Sequence, residues 1–534
     1  MNVSDEIEKT DEKVNANAAS VDGVNGKVKP NIWCFTTYFA EGFPFAIVRM
    51  MSSVFFTDIG MKERYLGYLN FLGIPWNLKF LWAPLVDIFG SKRTWMIVIQ
   101  SIITLLTAAV AVICFTSSNN GDPILSTSIL VVLFIAFAFV AATNDIVIDG
   151  YYIEGIPDQK EQAAYTGYRV FAYRIALIVA KFGIIYAVGM YSKSAAMKTL
   201  PDGIIDITTA AGMKVMYVAW AYGFGAAALI MGLFTLFHIV ALPDFETRTK
   251  KVSSAKKVYQ DFLLSFSSYL EISVERTKIA LSSGIGAFVV LSIILIACKL
   301  SYVQALAYGL LAMLAFLIAQ SRPLVALSLV FIIFYKIGDE IIFSMGTPFL
   351  KRYLMVSNDQ LAWMTGLIGL VGSIAGTTIG GLWIKKVGLK KAIWPLTLIM
   401  NVNIAAYIWL AWVHPLATVM VDGKAVPHIS GLITISAVYC YEQIAAGLGN
   451  AVLIVYILKT CKKEFKAGHY AIGSAFMSVF SSIFGGFGGI IVEKVGYMNL
   501  FTIGLLATIP AMTLMFFVRI PEEQTAEKNG AANK

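Results

Sequence analysis

Charged side chains lie inside hydrophobic stretches of this chain that are long enough to cross a membrane. A charge in hydrocarbon costs several kcal/mol unless it is paired or faces water. So many charges therefore predict a polar path through the membrane, suited to moving protons or charged molecules. The basic residues are Arg49, Lys79, Arg169, Arg174, Lys181 and Lys336, and the acidic residues are Glu41, Asp145, Asp149, Asp339, Glu340 and Glu442.

The elements that hold these charges are predicted to be transmembrane helices. The 534 residues are 58% hydrophobic and 14% charged, and the mean hydropathy is +0.72. A soluble chain would carry about a quarter charged residues, whereas an apolar run of about 20 residues spans a bilayer as a helix. The candidate runs are residues 33–56, 64–86, 94–116, 124–148, 164–190, 215–241, 280–298, 302–320, 324–347, 361–384, 392–413, 430–458, 468–492 and 497–519.

Positive charge is unevenly distributed between the loops. With the N-terminus placed in the cytoplasm, most of the 42 Lys and Arg fall in cytoplasmic loops and tails, as the positive-inside rule requires. The segment from Lys193 to Lys214 and the pair Lys351 and Arg352 run against this bias. We expect both termini in the cytoplasm, and we interpret the net charge of +9 as a topology signal that implies no nucleic-acid partner.

The order of the spans divides the chain into two halves and a central insertion. Residues 31–242 and 323–520 each contain six candidate spans, and residues 243–322 contain a basic linker with two more. Residues 1–30 and 521–534 are polar, lack the apolar centre of a signal peptide, and are expected to be disordered cytoplasmic tails. The sequence predicts an all-α membrane protein with a 6+2+6 arrangement of fourteen spans.

Within the linker, apolar residues recur at helical spacing. This pattern is typical of an amphipathic helix at the membrane surface, and a plain linker helix explains it equally well. The residues concerned are Tyr259, Phe262, Leu263, Phe266 and Leu270.

The two halves repeat one another with a constant offset. An internal duplication is common in membrane transporters. Three pairs of residues are 298 positions apart without a gap, namely Glu41 with Asp339, Gly90 with Gly388, and Asp145 with Gln443.

The turns at Gly90 and Gly388 resemble a loop signature of the major facilitator superfamily, Gly-x-x-x-Asp-Arg/Lys-x-Gly-Arg-Arg/Lys. The first turn contains Asp87 and Gly90, the second has Lys385 where the acid would be, and a partial third copy ends at Gly496. Glycine lets two helix ends approach closely, and charges hold a short loop at a moving interface. Asp87, Gly90 and Gly388 are therefore predicted to act in gating, and a generic basic turn is the alternative.

Acids on the fourth span lie opposite basic residues on the fifth. Asp145 and Asp149 are four residues apart and share one helix face, and Arg169 and Arg174 follow on the next span. Pairing of acid and arginine is the usual way to tolerate both inside a membrane. We expect Asp145 to contribute to a binding site and Asp149 and Arg174 to be structural, with a purely structural ion-pair network as the alternative.

The seventh span carries the sequence Tyr335-Lys336-Ile337-Gly338-Asp339-Glu340. Lys336 lies three residues before Asp339 and four before Glu340, so both acids can meet the ammonium group on one helix face. A buried acid with an adjustable cationic partner suits a site that binds a proton on one side and releases it on the other. The first span supplies Glu41 before Pro44, where the sequence predicts a break in the helix.

The remaining candidates complete a central site. Lys79, together with Lys336, could contact an anion or serve as a salt-bridge partner. Glu442 and Gln443 precede a glycine-rich stretch of the tenth span. Three aromatic side chains near the charges, Tyr38, Trp76 and Tyr335, could stack on a sugar ring, although most aromatic residues in such chains are belt or packing residues.

Catalytic and metal-binding signatures are not evident. The five Cys and four His are scattered, without metal-ligand spacing or a disulfide framework. The sequence shows no nucleophile–base set. We expect no enzyme activity, no metal and no cofactor.

Four motifs, in order along both halves, resemble the AmpG muropeptide permease family of the major facilitator superfamily. They run from Lys79 to Asp87, from Ala142 to Asp149, from Gly167 to Arg169, and from Tyr335 to Asp339. The resemblance implies proton-driven import of N-acetylglucosaminyl-1,6-anhydro-N-acetylmuramyl peptides across the bacterial inner membrane. Relatives of that family move siderophores or acetyl-CoA, so these cargoes are the alternative.

The resemblance also implies alternating access, with spans 1, 4, 7 and 10 lining a central cavity. A multi-pass monomer would then bind a bulky polar or anionic cargo, protons and lipid. Candidate proton carriers are Asp339, Glu41, Glu442 and Glu340, and candidate substrate contacts are Lys79, Arg169, Lys336, Asp145, Gln443, Tyr38, Trp76 and Tyr335.

Overall fold

The computed structural model describes residues 28–88, 90–118, 123–200, 205–245, 255–421 and 424–518. The predicted tails, apart from residues 28–30, and the side chain of Asp87 lie outside this part of the chain. The first half contains helices α1 Pro30–Ala46, α2 Ser52–Asp58, α3 Glu63–Tyr68, α4 Ile74–Leu78, α5 Ala83–Ile88, α6 Lys92–Ser117, α7 Pro123–Gly155, α8 Gln159–Ile178, α9 Ile185–Thr199 and α10 Ala210–Ala241.

The insertion and the second half are also mainly helical. Strands β1 Thr418–Val421 and β2 Lys424–Pro427 form a short antiparallel hairpin between α17 and α18. The helices are α11 Ala255–Leu270, α12 Val274–Ala297, α13 Tyr302–Gln320, α14 Pro323–Pro348, α15 Asn358–Ala362, α16 Gly369–Val387, α17 Leu389–Val413, α18 Ile429–Thr460, α19 Lys466–Gly486, α20 Gly488–Ala507 and α21 Ile509–Leu514.

Eleven helical segments of the described chain are long and apolar enough to cross a membrane. The predicted spans 64–86, 324–347 and 468–492 are not among them. The first is broken into short pieces, the second carries Lys336, Asp339 and Glu340, and the third is rich in glycine and serine. The helical membrane architecture is confirmed, and the count of fourteen spans stays a prediction.

Several spans contain a wide helical turn instead of a regular α-helix. Such π-turns are uncommon and often mark functional sites. The first two of these π-turns follow α1 and α8, and the other two follow α14 and α15. They are Ile47–Met51, Val179–Ile184, Phe349–Tyr353 and Trp363–Ile368.

Helix α1 continues through Pro44, so the predicted break there is wrong. Proline has no N–H for the carbonyl four residues earlier, and here that acceptor is Ala40. The side-chain amide of Asn144 donates to the Ala40 oxygen at 2.9 Å. A neighbouring helix thus supplies the missing donor, and the helix stays intact until the π-turn at Ile47–Met51.

Glycines with positive φ form the predicted turns. Gly90, Gly388 and Gly496 have φ values of 75°, 80° and 81°. An L-residue with a side chain rarely adopts this conformation, which explains glycine at all three turns. Gly496 also interrupts α20, where the sequence predicts the end of a span.

The linker helix α11 packs against both halves of the protein. Leu263, Phe266 and Leu270 are buried, while Tyr259 is exposed. The ring of Phe262 stacks on Phe80 of the first half at 6.2 Å. On the other side, Phe266 lies 6.4 Å from Phe476 of α19. The predicted amphipathic pattern therefore serves packing against the protein.

The two extra helices α12 and α13 pack against each other. A Cβ atom at Gly309 would lie 2.2 Å from Ser292 Oγ, so the backbones approach closely at this point. Their other faces expose large aliphatic side chains such as Ile279 and Ile293. Tyr308 contacts Phe487 at 5.0 Å, which attaches the pair to the second half.

Candidate functional site

Side chains from both halves meet around the buried carboxylate of Asp58. Its Oδ1 lies 2.7 Å from Lys351 Nζ, and its Oδ2 accepts hydrogen bonds from Asn358 at 2.7 Å and Trp220 at 2.8 Å. Lys351 also contacts the Asn358 side chain. We call this region, with Glu63 and Arg352, the sealed end. The opposite end, where α11 lies, is the linker end.

Further ion pairs join the halves at the sealed end. Arg352 lies 2.9 Å from Glu63 and donates to the backbone oxygens of Met61 and Thr57. Two more pairs, Arg64 with Glu493 at 2.7 Å and Lys193 with Asp359 at 2.6 Å, lie nearby. Lys193, Lys351 and Arg352 are among the cations that run against the positive-inside bias, and each one pairs with an acid of the other half.

Backbone contacts at the sealed end are close as well. A Cβ atom at Gly67 would lie 2.6 Å from the Gly486 oxygen, and one at Gly489 would lie 1.9 Å from the Glu63 oxygen. Only glycine permits this approach between helices of different halves. At the linker end, Arg322 N donates to the Leu270 oxygen of α11 at 3.1 Å.

A cavity of about 100 Å³ lies between the halves, next to the sealed end. Among the predicted site residues, Glu442 and Gln443 line it, and Gln443 Nε2 donates to Glu442 Oε2 at 2.6 Å. Its other polar side chains include Arg49, Lys181 and Asn70. Among the described residues of α7, none lines this cavity, and the contribution of the fourth span to a central cavity stays a prediction.

Arg49 bridges the two halves beside the cavity. Its guanidinium donates to the backbone oxygen of Asn70 at 2.8 Å and to the Asn70 side chain at 3.0 Å. It also lies 3.7 Å from Glu340 of the second half and over the ring of Phe343. Asn70 in turn donates to the Ser482 oxygen at 3.1 Å. Glu340, a predicted proton carrier, is therefore a salt-bridge partner of a residue from the other half.

A charged cluster occupies the first half, away from the cavity-lining residues. Lys79 contacts Asp145 directly and lies 3.8 Å from Asp149. Arg169 lies 2.9 Å from Asp149, which also accepts a hydrogen bond from Tyr38 at 2.9 Å. The Arg169 guanidinium lies 4.3 Å from the Tyr38 ring. Four predicted substrate contacts, Lys79, Asp145, Arg169 and Tyr38, are thus satisfied by protein partners in this conformation.

Glu41 lies near this cluster. Its Oε2 is buried and has no hydrogen-bond partner among the described residues. Asp145 and Asp149 are close enough to act on it electrostatically. A buried carboxylate oxygen without a donor is unfavourable when the acid is ionised, so Glu41 stays among the candidate proton carriers.

The corresponding cluster of the second half is smaller. Lys336 contacts Asp339 and donates to Asn450 Oδ1 at 3.0 Å. Tyr335 is buried, and its hydroxyl donates to the Gly449 oxygen at 3.1 Å. Two further predicted aromatic contacts do not line the cavity. Tyr335 is enclosed by protein, and the ring of Trp76 in the first half packs edge-on against Phe45 at 5.3 Å.

Two cations on the fifth span differ from the others. Within the described residues, neither Arg174 nor Lys181 has a hydrogen bond or a carboxylate oxygen within 4 Å. The expected structural pairing of Arg174 with the acids of α7 is therefore not observed. Lys181 was recognisable in the sequence as an intramembrane cation, but no sequence signal set it apart, because Arg49 and Lys79 also lack an acid three or four residues away.

Metal coordination finds no support in this arrangement. In the described ranges, no group of three or more His, Cys, Asp or Glu side chains is placed to hold a metal ion. The charged groups instead form cation–carboxylate pairs, which can rearrange as helices move. This chemistry fits the binding and release of ions or charged molecules.

Comparison with known proteins identifies the fold. The model of the Major Facilitator Superfamily matches residues 329–534. The chain is 22% identical over 486 residues to "Putative transporter AmpG 4" of Rickettsia felis, covering 90% of this chain and 94% of the relative. It is 21% identical over 492 residues to the "Anhydromuropeptide permease" of Escherichia coli K12, covering 91% and 79%.

Solved structures agree with this similarity. An auto inhibited peptide transporter of the POT family superposes with a TM-score of 0.61 at 13% identity, covering 92% of this chain and 98% of that one. The relatives and the solved structure are described as transporters or permeases, and the expected resemblance to AmpG-like permeases is confirmed. The chain is therefore a membrane transporter rather than an enzyme, with the major facilitator superfamily fold and similarity to AmpG-like permeases.

Proposed function

We propose that this transporter imports peptidoglycan fragments of the anhydromuropeptide class across a bacterial inner membrane together with protons. The name of the Escherichia coli relative supports this cargo. The basic side chains within the membrane-spanning region suit a cargo that carries carboxylates. No other cargo class has a comparable observation in its favour, so siderophores and acetyl-CoA enter as outcomes of the test.

The observation that carries the mechanism is a polar cavity that lies beneath a layer of ion pairs between the halves. Asp58 with Lys351, and Glu63 with Arg352, close the sealed end. Ion pairs between two bodies can break and reform as the bodies rotate, which is a common basis of switching. This arrangement supports alternating access by rocking of the two halves around a central site.

We infer the orientation from the loop charges. If both termini are cytoplasmic, the sealed end faces the outside and the linker end faces the cytoplasm. The structure would then represent a state closed to the outside. The cavity of about 100 Å³ is smaller than the pockets of roughly 300–1,000 Å³ that enclose drug-sized ligands. A disaccharide peptide would therefore require the halves to separate further.

Among the predicted acids, Glu442 is the best placed to exchange a proton during the cycle. It lines the cavity, whereas Asp339 contacts Lys336 and Glu340 lies beside Arg49. Glu41 is half-buried within the first half and does not line the cavity. A proton carrier must reach water from alternate sides, and a residue on the cavity wall meets that requirement.

Uptake by purified protein in liposomes tests this function. Labelled anhydromuropeptide should accumulate when the outside is acidic, and a protonophore should abolish the accumulation. Uptake that ignores the protonophore would contradict proton coupling. Absence of uptake, with transport of a ferric siderophore or acetyl-CoA in the same vesicles, would contradict the cargo and favour the alternative.

A further inference from the structure

Two basic side chains on the fifth span have no hydrogen bond or salt bridge in the part of the chain that the structure describes. Arg174 on α8 and Lys181 in the following π-turn are neither exposed nor paired with a described acid within 4 Å. By contrast, Lys79, Arg169, Lys336 and Arg49 each lie within 4 Å of a carboxylate. The fifth span thus presents the unsatisfied positive charge of this region.

Arg174 and Lys181 together form a region of positive charge on the fifth span. They are seven residues apart, which is about two helical turns and about 10 Å of rise. Their charges repel each other, and Glu442 is the carboxylate that attracts Lys181 from across the cavity. Two like charges held in a region of low dielectric favour the arrival of an anion.

Lys181 lies on the cavity wall with Glu442 and Gln443. Arg174 lies towards the linker end, on the part of the span that precedes the π-turn. An acidic group entering from or leaving to the linker end would therefore meet Arg174 and Lys181 in succession. The wide turn at Val179–Ile184 places Lys181 at the point where the fifth span packs against the π-turn that follows α15 in the other half.

We propose that Lys181, assisted by Arg174, binds a carboxylate of the transported molecule. This replaces Lys79, Arg169 and Lys336 as the cargo contacts, because those cations are neutralised by Asp145, Asp149 and Asp339. The inference rests on the proposed function for the identity of the cargo, but the anion site itself depends only on the unpaired cations and the cavity.

The test compares an anhydromuropeptide that carries free peptide carboxylates with the same compound converted to carboxamides. Binding to purified protein is measured by calorimetry. A charge-assisted contact predicts that wild-type protein binds the acid about tenfold or more tightly than the amide. Lys181→Met should bind both forms alike, and Lys181→Arg should retain the preference. Lys198→Met, which removes an exposed charge from the same span, should behave as wild type.

Thermal unfolding of the empty protein gives a readout that does not depend on the cargo. An unpaired buried ammonium group is unfavourable, so Lys181→Met should melt at the same temperature as wild type or higher. A lower melting temperature that Lys181→Arg restores would assign Lys181 a structural role and overturn the proposal. A full acid preference in Lys181→Met would overturn it as well.

The binding and melting measurements distinguish an error in the proposed cargo from an error in the proposed anion site. If wild-type protein binds neither form of the anhydromuropeptide, the proposed cargo is wrong. The melting comparison still decides on Lys181 in that case: a stable or stabilised Lys181→Met protein supports the anion site, and a destabilised one rejects it.

Discussion

Lys336 and Asp339 illustrate how a charge is tolerated within the membrane-spanning part of this protein. Their side chains are in contact and only 17% and 11% exposed, and Asn450 supplies a further acceptor for the ammonium group. Burying the pair is costly in itself, but removing one partner leaves an uncompensated charge, which is worse. The pair therefore acts as a unit.

The first prediction concerns this unit. Asp339→Asn should lower stability by about 3–5 kcal/mol, because Lys336 loses its counter-ion. Lys336→Met combined with Asp339→Asn should recover most of the loss. Thermal unfolding in detergent measures both. Equal stability of Asp339→Asn and wild type would show that Lys336 does not depend on Asp339.

The second prediction separates proton coupling from binding. Glu442→Gln keeps the shape of the side chain and removes the proton exchange that we assign to Glu442. Proton-driven accumulation should fall to the level of passive exchange, while counterflow of labelled and unlabelled cargo should persist.

Glu161→Gln is the matched control, since Glu161 is an exposed acid at the linker end of the fifth span. It should accumulate cargo as wild type does. Full proton-driven accumulation by Glu442→Gln would remove Glu442 from the coupling role and direct attention to Glu41 or Asp339.

The sequence predicts ion pairs where the partners share a helix or lie on consecutive helices. The spacing of Lys336 and Asp339 predicts their contact, and the order of Asp149 and Arg169 on consecutive spans predicts theirs. The partner of Arg49 could not be found in this way, because Glu340 comes from the other half of the chain. The isolation of Lys181 is likewise a property of three-dimensional packing.

Among the elements, the ends of α2 and α14 decide whether the sealed end is closed. Asp58 ends α2, and Lys351 lies in the π-turn after α14. Asp58 satisfies Lys351, Asn358 and Trp220 at once. A buried hub with several hydrogen bonds contributes far more to the closed state than an exposed ion pair does.

The third prediction follows from this difference. Asp58→Asn should shift the population towards a state open at the sealed end, by about tenfold for each 1.4 kcal/mol that the hub contributes. The readout is labelling of Ser53→Cys, a cavity residue, by a membrane-impermeant maleimide in intact cells whose transporter lacks the five native cysteines.

Arg64→Gln serves as the comparison, because Arg64 and Glu493 form a more exposed pair. Its effect on labelling should be small. If both substitutions increased labelling equally, or neither did, the Asp58 hub would not be the element that holds this end closed.

The long apolar helices were predictable from hydropathy because each contains an apolar run long enough to span a bilayer. The region 63–88 was not, since its short helices depend on Pro75 and on Asn70, which is fixed by Arg49 and Ser482. The continuity of α1 through Pro44 likewise depends on Asn144 of another helix. These elements are shaped by tertiary hydrogen bonds that local sequence does not contain.

For the whole molecule, residues at one predicted repeat position have different surroundings in the two halves. Glu41 and Asp339 share the repeat position, yet Asp339 contacts a lysine while one oxygen of Glu41 has no partner in the described chain. Two similar bodies with unequal charges can favour one closed state over the other. The sequence predicts the repeat, and the packing of the two halves shows where they meet.

Cross-linking the sealed end tests the alternation of access most directly. Arg64 N and Glu493 Oε1 are 3.1 Å apart, so Arg64→Cys and Glu493→Cys place two thiols within reach of a short disulfide-forming cross-linker, again in the background without native cysteines. Each single variant treated with the same reagent is the control. Cross-linking of the double variant should abolish uptake, and a reductant should restore it. Uptake at the full rate by cross-linked protein would contradict alternating access.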